Sequence, residues 1–251
     1  EIYANGEQLT SWPWSDLVSL VYRYCKDPIN KKGKVLELGC GSGPNIPFIQ
    51  SLGMSYYGID GSSTAIQVLH QKFPKLKNNI LIGDFTNMRH YSDIPDIDII
   101  VDRASVAHND LSSIKQILNH SYDKLKTGGY FVGIDWFSTK HCDSKMGVKS
   151  NDENTRTDIK KGQFKNVGNV HFSDKNHLQE LFSEFDAVPI AAASLAQVHR
   201  AVVKETGIEV AVKLQYPHLA SQVVGDLWAM EVLASAVGYF FGRQLHQTLD
   251  I

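Results

Sequence analysis

The residues with the clearest chemical content are the glycines of Glu37-Leu-Gly39-Cys-Gly41-Ser-Gly43, which follow the apolar run Lys34–Leu38. A strand that turns sharply into a helix needs residues that tolerate positive φ, and a ligand can approach such a backbone because no Cβ intervenes. The G-x-G-x-G spacing behind an acid differs from the G-x-G-x-x-G that seats a dinucleotide pyrophosphate on helix N–H groups. An acid such as Glu37 suits a cationic centre or an amino group, not a phosphate. Asp60 ends a second apolar run and is placed to accept both hydroxyls of a ribose. Asp84, after a third run, suits the amino group of an adenine, with Phe85 beside the ring. Each Asp alone reads equally well as a turn or cap residue. Acids ending successive strands behind one glycine loop point to a shared cavity for a positively charged nucleoside.

Strands and helices must alternate to bring these residues together. Strands are predicted at Lys34–Leu38, Tyr56–Ile59, Asn79–Ile82, Ile97–Val101 and Tyr130–Trp136. Helices are predicted from Ser15-Asp16 through Leu17, Leu20, Val21 and Tyr24, and again from Ile46. A further helix, capped by Ser63 or Thr64, carries Ile66, Leu69 and Phe73, and another carries Ile114, Ile117, Leu118, Tyr122 and Leu125 before Gly128-Gly129. This order implies an α/β fold with a parallel sheet, whose ligands sit beyond the carboxyl ends of the strands. Residues 138–170 are polar and read as a long loop or lid. Leu178, Leu181, Phe182 and Phe185 form one helical stripe. After Asp186 the character changes: Pro189–Ser194 is small and apolar, Gln197–Val203 and Glu209–Gln215 are β-rich around Thr206-Gly207, and Leu219 to Phe241 is helix-like.

Composition narrows the function classes. The 251 residues are 43% hydrophobic and 21% charged with a net charge of −2, values that allow an ordinary core and give no basic stripe for nucleic acid. No apolar run approaches membrane-spanning length, so no membrane span is expected. Cys25, Cys40 and Cys142 are widely spaced and read as free thiols. With no signal-peptide pattern after Glu1, the expected location is cytoplasmic. The ten histidines form no i, i+4 pair with a nearby acid, so no metal site is expected.

Residues 34–136 resemble class I methyltransferases dependent on S-adenosylmethionine (SAM), in particular bacterial small-molecule enzymes. The resemblance rests on VLELGCGSG, YGID, GDF and Asp102-Arg-Ala-Ser-Val-Ala-His108. It implies a Rossmann-like parallel sheet flanked by helices and a small-molecule acceptor. It also implies Glu37, Gly39, Gly41, Gly43, Asp60, Asp84 and Phe85 as SAM contacts, with Asp102 near the methionine end. Methyl transfer is an in-line displacement that gains much from positioning and water exclusion. A base is needed only where the acceptor is a hydroxyl or a protonated amine. The candidates are His108 after the fourth strand, Asp135 ending the fifth and His141 in the following loop, each equally readable as structural. Trp12 and Trp14 are candidates for an aromatic lid over the cofactor, or simple packing anchors.

Residues of about 180–241 resemble the UbiB-like (AarF-domain) atypical kinases. The likeness runs through Leu181 to Arg200 and then Val210-Ala-Val-Lys213. It implies that Ala191-Ala192-Ala193-Ser194 replaces a kinase glycine loop and that Lys213 contacts nucleotide phosphates. The expected division is a methyltransferase domain over 1–180 and a partial kinase fragment over 181–251, a β-hairpin plus helix of kinase N-lobe character. A catalytic H-R-D-like loop and a metal-binding D-F-G are absent, so phosphoryl transfer is not expected. The hairpin, residues 196–216, is expected to join the sheet edge at Tyr130–Trp136, standing in for the antiparallel hairpin with which that methyltransferase class closes. Left unpaired, it would expose a β edge and make the C-terminal segment a self-association surface. Three functions stand: a SAM-dependent methyltransferase, a SAM- or nucleotide-binding module without turnover, and an ATP-binding UbiB-like pseudokinase fragment fused to a methyltransferase.

Overall fold

The computed structural model describes residues 12–185, 191–192, 196–203 and 209–215. Ala193, Ser194, the Thr206-Gly207 turn and the helix expected over Leu219 to Phe241 lie outside the described residues. The centre is a parallel sheet. Strand β1 (Lys34–Leu38) pairs with β2 (Ser55–Asp60) and β4 (Ile97–Arg103). Strand β3 (Ile80–Ile82) pairs with β2, and β5 (Leu125–Ser138) with β4, giving the order β3-β2-β1-β4-β5.

The strands are nearly continuous apolar runs because both faces are covered. Successive side chains point to opposite faces, so neighbours in sequence enter different cores. Val35, Ile99 and Val101 join Leu17, Leu20 and Val21 of α1 (Ser15–Tyr24), with further contributions from α3 (Ile46–Ser51) and α4 (Ser63–Lys72). Leu36, Leu38 and Ile100 instead join Ile114, Ile117 and Leu118 of α5 (Leu111–Lys124). The short α2 (Lys26–Asn30) leads into β1. Helix α4 is capped by Ser62, whose hydroxyl accepts the Ala65 N–H at 3.2 Å, one residue ahead of the expected Ser63 or Thr64. Trp14 is the N-cap of α1 and gives no side-chain cap, so Ser15 is the first helical residue and not a capping one. Among the described residues no helix is long and apolar enough to cross a membrane.

The polar stretch expected as a loop holds structure. Strands β6 (Val148–Lys149), β7 (Thr155–Thr157) and β8 (Val170–Ser173) form an antiparallel ladder. β8 continues onto the end of β5 through Phe137 and Phe172. Phe137, Ile159, Phe164, Val170 and Phe172 make a small third core. Few apolar residues suffice here because most are aromatic and bury large areas. The stripe ending at Phe185 is split: α6 (Lys175–Leu181) buries Leu178 and Leu181, while Phe182–Phe185 is strand β9.

Strand β11 (Ala196–Val203) runs antiparallel to β9, to β10 (Ala191–Ala192) and to β12 (Glu209–Gln215). β12 lies beside β5, so the hairpin extends the sheet where expected. The strand next to β5 is parallel to it, from Val210 opposite Phe131 to Leu214 opposite Trp136. The register slips between Val212 and Leu214, leaving Ile134 and Asp135 opposite Lys213. Asp135 takes φ +62 at this irregularity, a conformation Asp tolerates better than most residues.

Candidate active site

A cleft of about 580 Å³ opens at the carboxyl ends of β1, β2, β4 and β5. Its floor is the glycine turn. Gly39 has φ +70 and donates its N–H to the Ile59 carbonyl at 2.8 Å. A Cβ on Gly39 would lie 1.9 Å from Ser105 Oγ, so this glycine lets the β1 and β4 loops meet. Gly41 has φ +50 and lines the cleft. Gly43 does not line it: a Cβ there would meet Leu69 at 2.5 Å and Ile46 at 2.7 Å, so Gly43 serves helix packing.

Glu37 and Asp60 both line the cleft. Glu37 is 4% exposed, with Oε1 accepting Asn45 Nδ2–H at 2.7 Å and Oε2 accepting the Tyr56 hydroxyl at 2.6 Å. Burial pushes its carboxyl up to about 7, against the pull of those two hydrogen bonds. Asp60 Oδ2 accepts the Gly41 N–H at 2.8 Å and Oδ1 the Ser62 N–H at 2.7 Å. The carboxylate is thus fixed at the glycine turn, while each oxygen keeps a further lone pair.

The other sequence-derived residues fall into different positions. Asp102 is fully buried below the cleft and is not among its lining residues. Its Oδ1 accepts the Ser105 and Val106 N–H groups, both at 2.9 Å, and Oδ2 accepts Trp136 Nε1–H at 3.0 Å. Burial pushes Asp102 up to about 7 as well. Its evident work is to hold the turn in which Ala104 takes φ +61. Asp84 is exposed, accepts the Thr86 N–H at 2.9 Å in an Asx turn, and does not line the cleft. The Phe85 ring borders the glycine turn, 3.9 Å from the Cβ position of Gly39.

Of the candidate bases, His108 and Asp135 line the cleft and His141 does not. His108 Nδ1 lies 3.0 Å from the Asn169 carbonyl, so Nδ1 carries the proton and Nε2 the lone pair. Burial lowers its pKa, keeping the ring neutral. His141 accepts the Asp143 N–H on Nδ1 at 3.1 Å and stacks near Phe164 at 5.0 Å, supporting the roof from behind. Trp14 lines the cleft, whereas Trp12 is 81% exposed.

The roof comes from the segment after β5. Gln163, Phe164 and Val167 line the cleft, and Phe164 packs on Phe137 with ring centroids 4.5 Å apart. Buried Asp143 accepts the Phe164 N–H at 3.1 Å and fills the space beside Gly162. The sequence reading passed over Asn45, Tyr56 and Arg103. Arg103 lies in the segment Asp102–His108 at the end of β4, and its place at a strand end is the signal the sequence offers. Its Nε is 2.9 Å from Asp135 Oδ2, and its guanidinium sits 3.6 Å over the Trp14 ring. In the C-terminal segment, Ala191 and Ala192 form β10 and Lys213 stands in β12 opposite the β5 irregularity.

Residues 35–129 match the family model of the methyltransferase domain, and residues 157–250 that of the ABC1 atypical kinase-like domain. The two matches fall on separate stretches of the chain, the first similar to a methyltransferase domain and the second to an ABC1 atypical kinase-like domain. The kinase-like match takes in β8 and α6 as well as the hairpin. A probable serine/threonine-protein kinase abkD of Dictyostelium discoideum is 51% identical over 77 residues, covering 31% of this chain and 10% of that protein. AarF domain-containing protein kinase 1 of Xenopus tropicalis is 50% identical over 64 residues, covering 26% of this chain and 12% of the other. The chain therefore spans only about a tenth of the length of these curated relatives. In fold, it is similar to the PH0226 protein of Pyrococcus horikoshii, with a TM-score of 0.52, 17% identity, and coverage of 74% of this chain and 89% of that one.

Proposed function

We propose that the methyltransferase domain, taken as residues 1–180, binds SAM in this cleft and methylates a small-molecule acceptor. The observation that carries the reading is the pairing of Glu37 and Asp60 around the glycine turn. Glu37 is hydrogen-bonded to neutral partners, and Arg103, which also lines the cleft, is paired with Asp135, so the acids outweigh the positive charge there. Such a site favours a cationic ligand and repels a phosphate. The residues present fit SAM: Gly39 and Gly41 give close backbone approach, Asp60 suits the ribose hydroxyls, and Glu37 suits the amino group. Phe85 would border the adenine; Asp84 would act at the rim and Asp102 and Gly43 through the shape of the loops. When bound, SAM supplies a methyl group on a positively charged sulfur.

The chain's own contribution is positioning and exclusion of water. Phe137 and Phe164 form an apolar wall beside His108. His108, neutral and with Nε2 as its lone-pair nitrogen, takes the proton of a hydroxyl or ammonium acceptor. Asp135, engaged with Arg103, and His141, behind Phe164, act by support. The kinase-like strands continue the sheet beyond β5, a structural use of the hairpin that leaves Ala191–Ser194 and Lys213 without a required role in methyl transfer.

Isothermal titration of the full chain with SAM, S-adenosylhomocysteine and ATP tests the reading. SAM and its product should bind, and Asp60→Ala or Gly41→Val should each abolish that binding. Affinity retained in both variants would remove the site. ATP binding that disappears in Lys213→Ala would favour nucleotide use by the kinase-like segment instead.

A further inference from the structure

Among the described residues lining the cleft, Arg103 is the one permanent cation; the charged neighbours Glu37, Asp60 and Asp135 are acids. Asp135 approaches Nε at 2.9 Å. Nε is one of five donors in a planar fork, and the terminal nitrogens form a second, separate edge suited to a carboxylate. The fork is also pre-oriented. Trp14 stacks on its face at 3.6 Å, and Asp135 is fixed by the β5 irregularity at which it takes φ +62.

A chain of contacts ties this cation to the acid at the cleft floor. The Trp14 N–H donates to Asn45 Oδ1 at 3.1 Å, and Asn45 Nδ2–H donates to Glu37 Oε1 at 2.7 Å. Asn45 therefore sets the place of the Arg103 platform and of the Glu37 carboxylate together. A positive fork and a buried acid lining one cleft and coupled through one amide form the complement of an amino-acid zwitterion. Resting on the SAM reading above, we propose that Arg103 grips the α-carboxylate of the methionine moiety while Glu37 takes its ammonium. Trp14 is then a positioning residue for the guanidinium.

The test compares two ligands that differ only in that carboxylate: S-adenosylhomocysteine and its decarboxylated form, S-adenosyl-3-thiopropylamine. Binding is read by isothermal titration, independent of any acceptor or turnover. The wild-type chain should prefer S-adenosylhomocysteine by about tenfold or more, as expected for a charge-assisted bidentate contact. Arg103→Gln should lose about that factor for S-adenosylhomocysteine yet hold the amine within about twofold, which also shows that the variant is folded. An equal loss for both ligands would mean that Arg103 only supports the fold, and no loss for either would mean that the carboxylate is held elsewhere; each outcome overturns the proposal. A wild-type chain that binds neither ligand overturns the SAM reading on which it rests.

Discussion

Glu37 shows how a single carboxyl can report on the ligand. Its pKa of about 7 comes from burial, and a cationic ligand would favour the ionised form. Binding should therefore release a proton below pH 7. SAM affinity should rise about tenfold per pH unit up to that point and level off above it, as titrations at several pH values can read. Glu37→Gln should bind weakly and lose most of this slope. In the ligand-free chain the sign for stability is opposite. Glu37 and Asp102 hold protons that the unfolded chain has released, so their contribution is full below about pH 4 and falls away as pH rises toward 7. At the roof, Gly162 takes φ +83, and a Cβ there would lie 2.2 Å from Asp143 Oδ1. Gly162→Ala should cost about 1–3 kcal/mol from backbone strain alone, measurable by urea unfolding, and should loosen Phe164 over the cleft. The places of Glu37, Asp60, Gly39 and Gly41 along the cleft were legible from the glycine turn and the strand ends, whereas Asp84, Asp102 and Gly43, of the same types in similar places, serve turns and packing instead. The Arg103–Trp14 stack was not, since it joins residues far apart in the chain and depends on how α1 docks.

At the level of elements, strands β1 to β5 and helices α1, α3, α4 and α5 could be read from apolar periodicity and turn residues. The period carries because each element buries a wide face against the sheet. Caps were read less well. Ser62 precedes the residues that the pattern favours, and only the accepted Ala65 N–H reveals it. Ser62→Ala should cost about 1 kcal/mol, as thermal or urea unfolding would show. Strands β6 to β8 escaped notice because they are two to four residues long, too short for alternation to register. The polarity of β12 was equally hidden, since a hairpin sequence does not say which strand will meet β5. Val212 in β12 pairs with both Gly133 and His199, so Val212→Pro removes an inner-strand donor. The expected result is faster amide exchange in β5 around Phe131–Gly133; unchanged exchange would mean that β12 does not secure that edge.

For the whole molecule, two family segments share one continuous sheet, with β12 of the kinase-like match hydrogen-bonded to β5. The central claim is narrower: the acid-lined cleft over the glycine turn is the seat of SAM. Its most direct measurement is a crystal structure of the full chain grown with S-adenosylhomocysteine at saturating concentration. Ligand density should fill the space between Gly39, Asp60 and Phe164, with its ribose against Asp60. Density at another surface, or a cleft left empty under those conditions, would contradict the account.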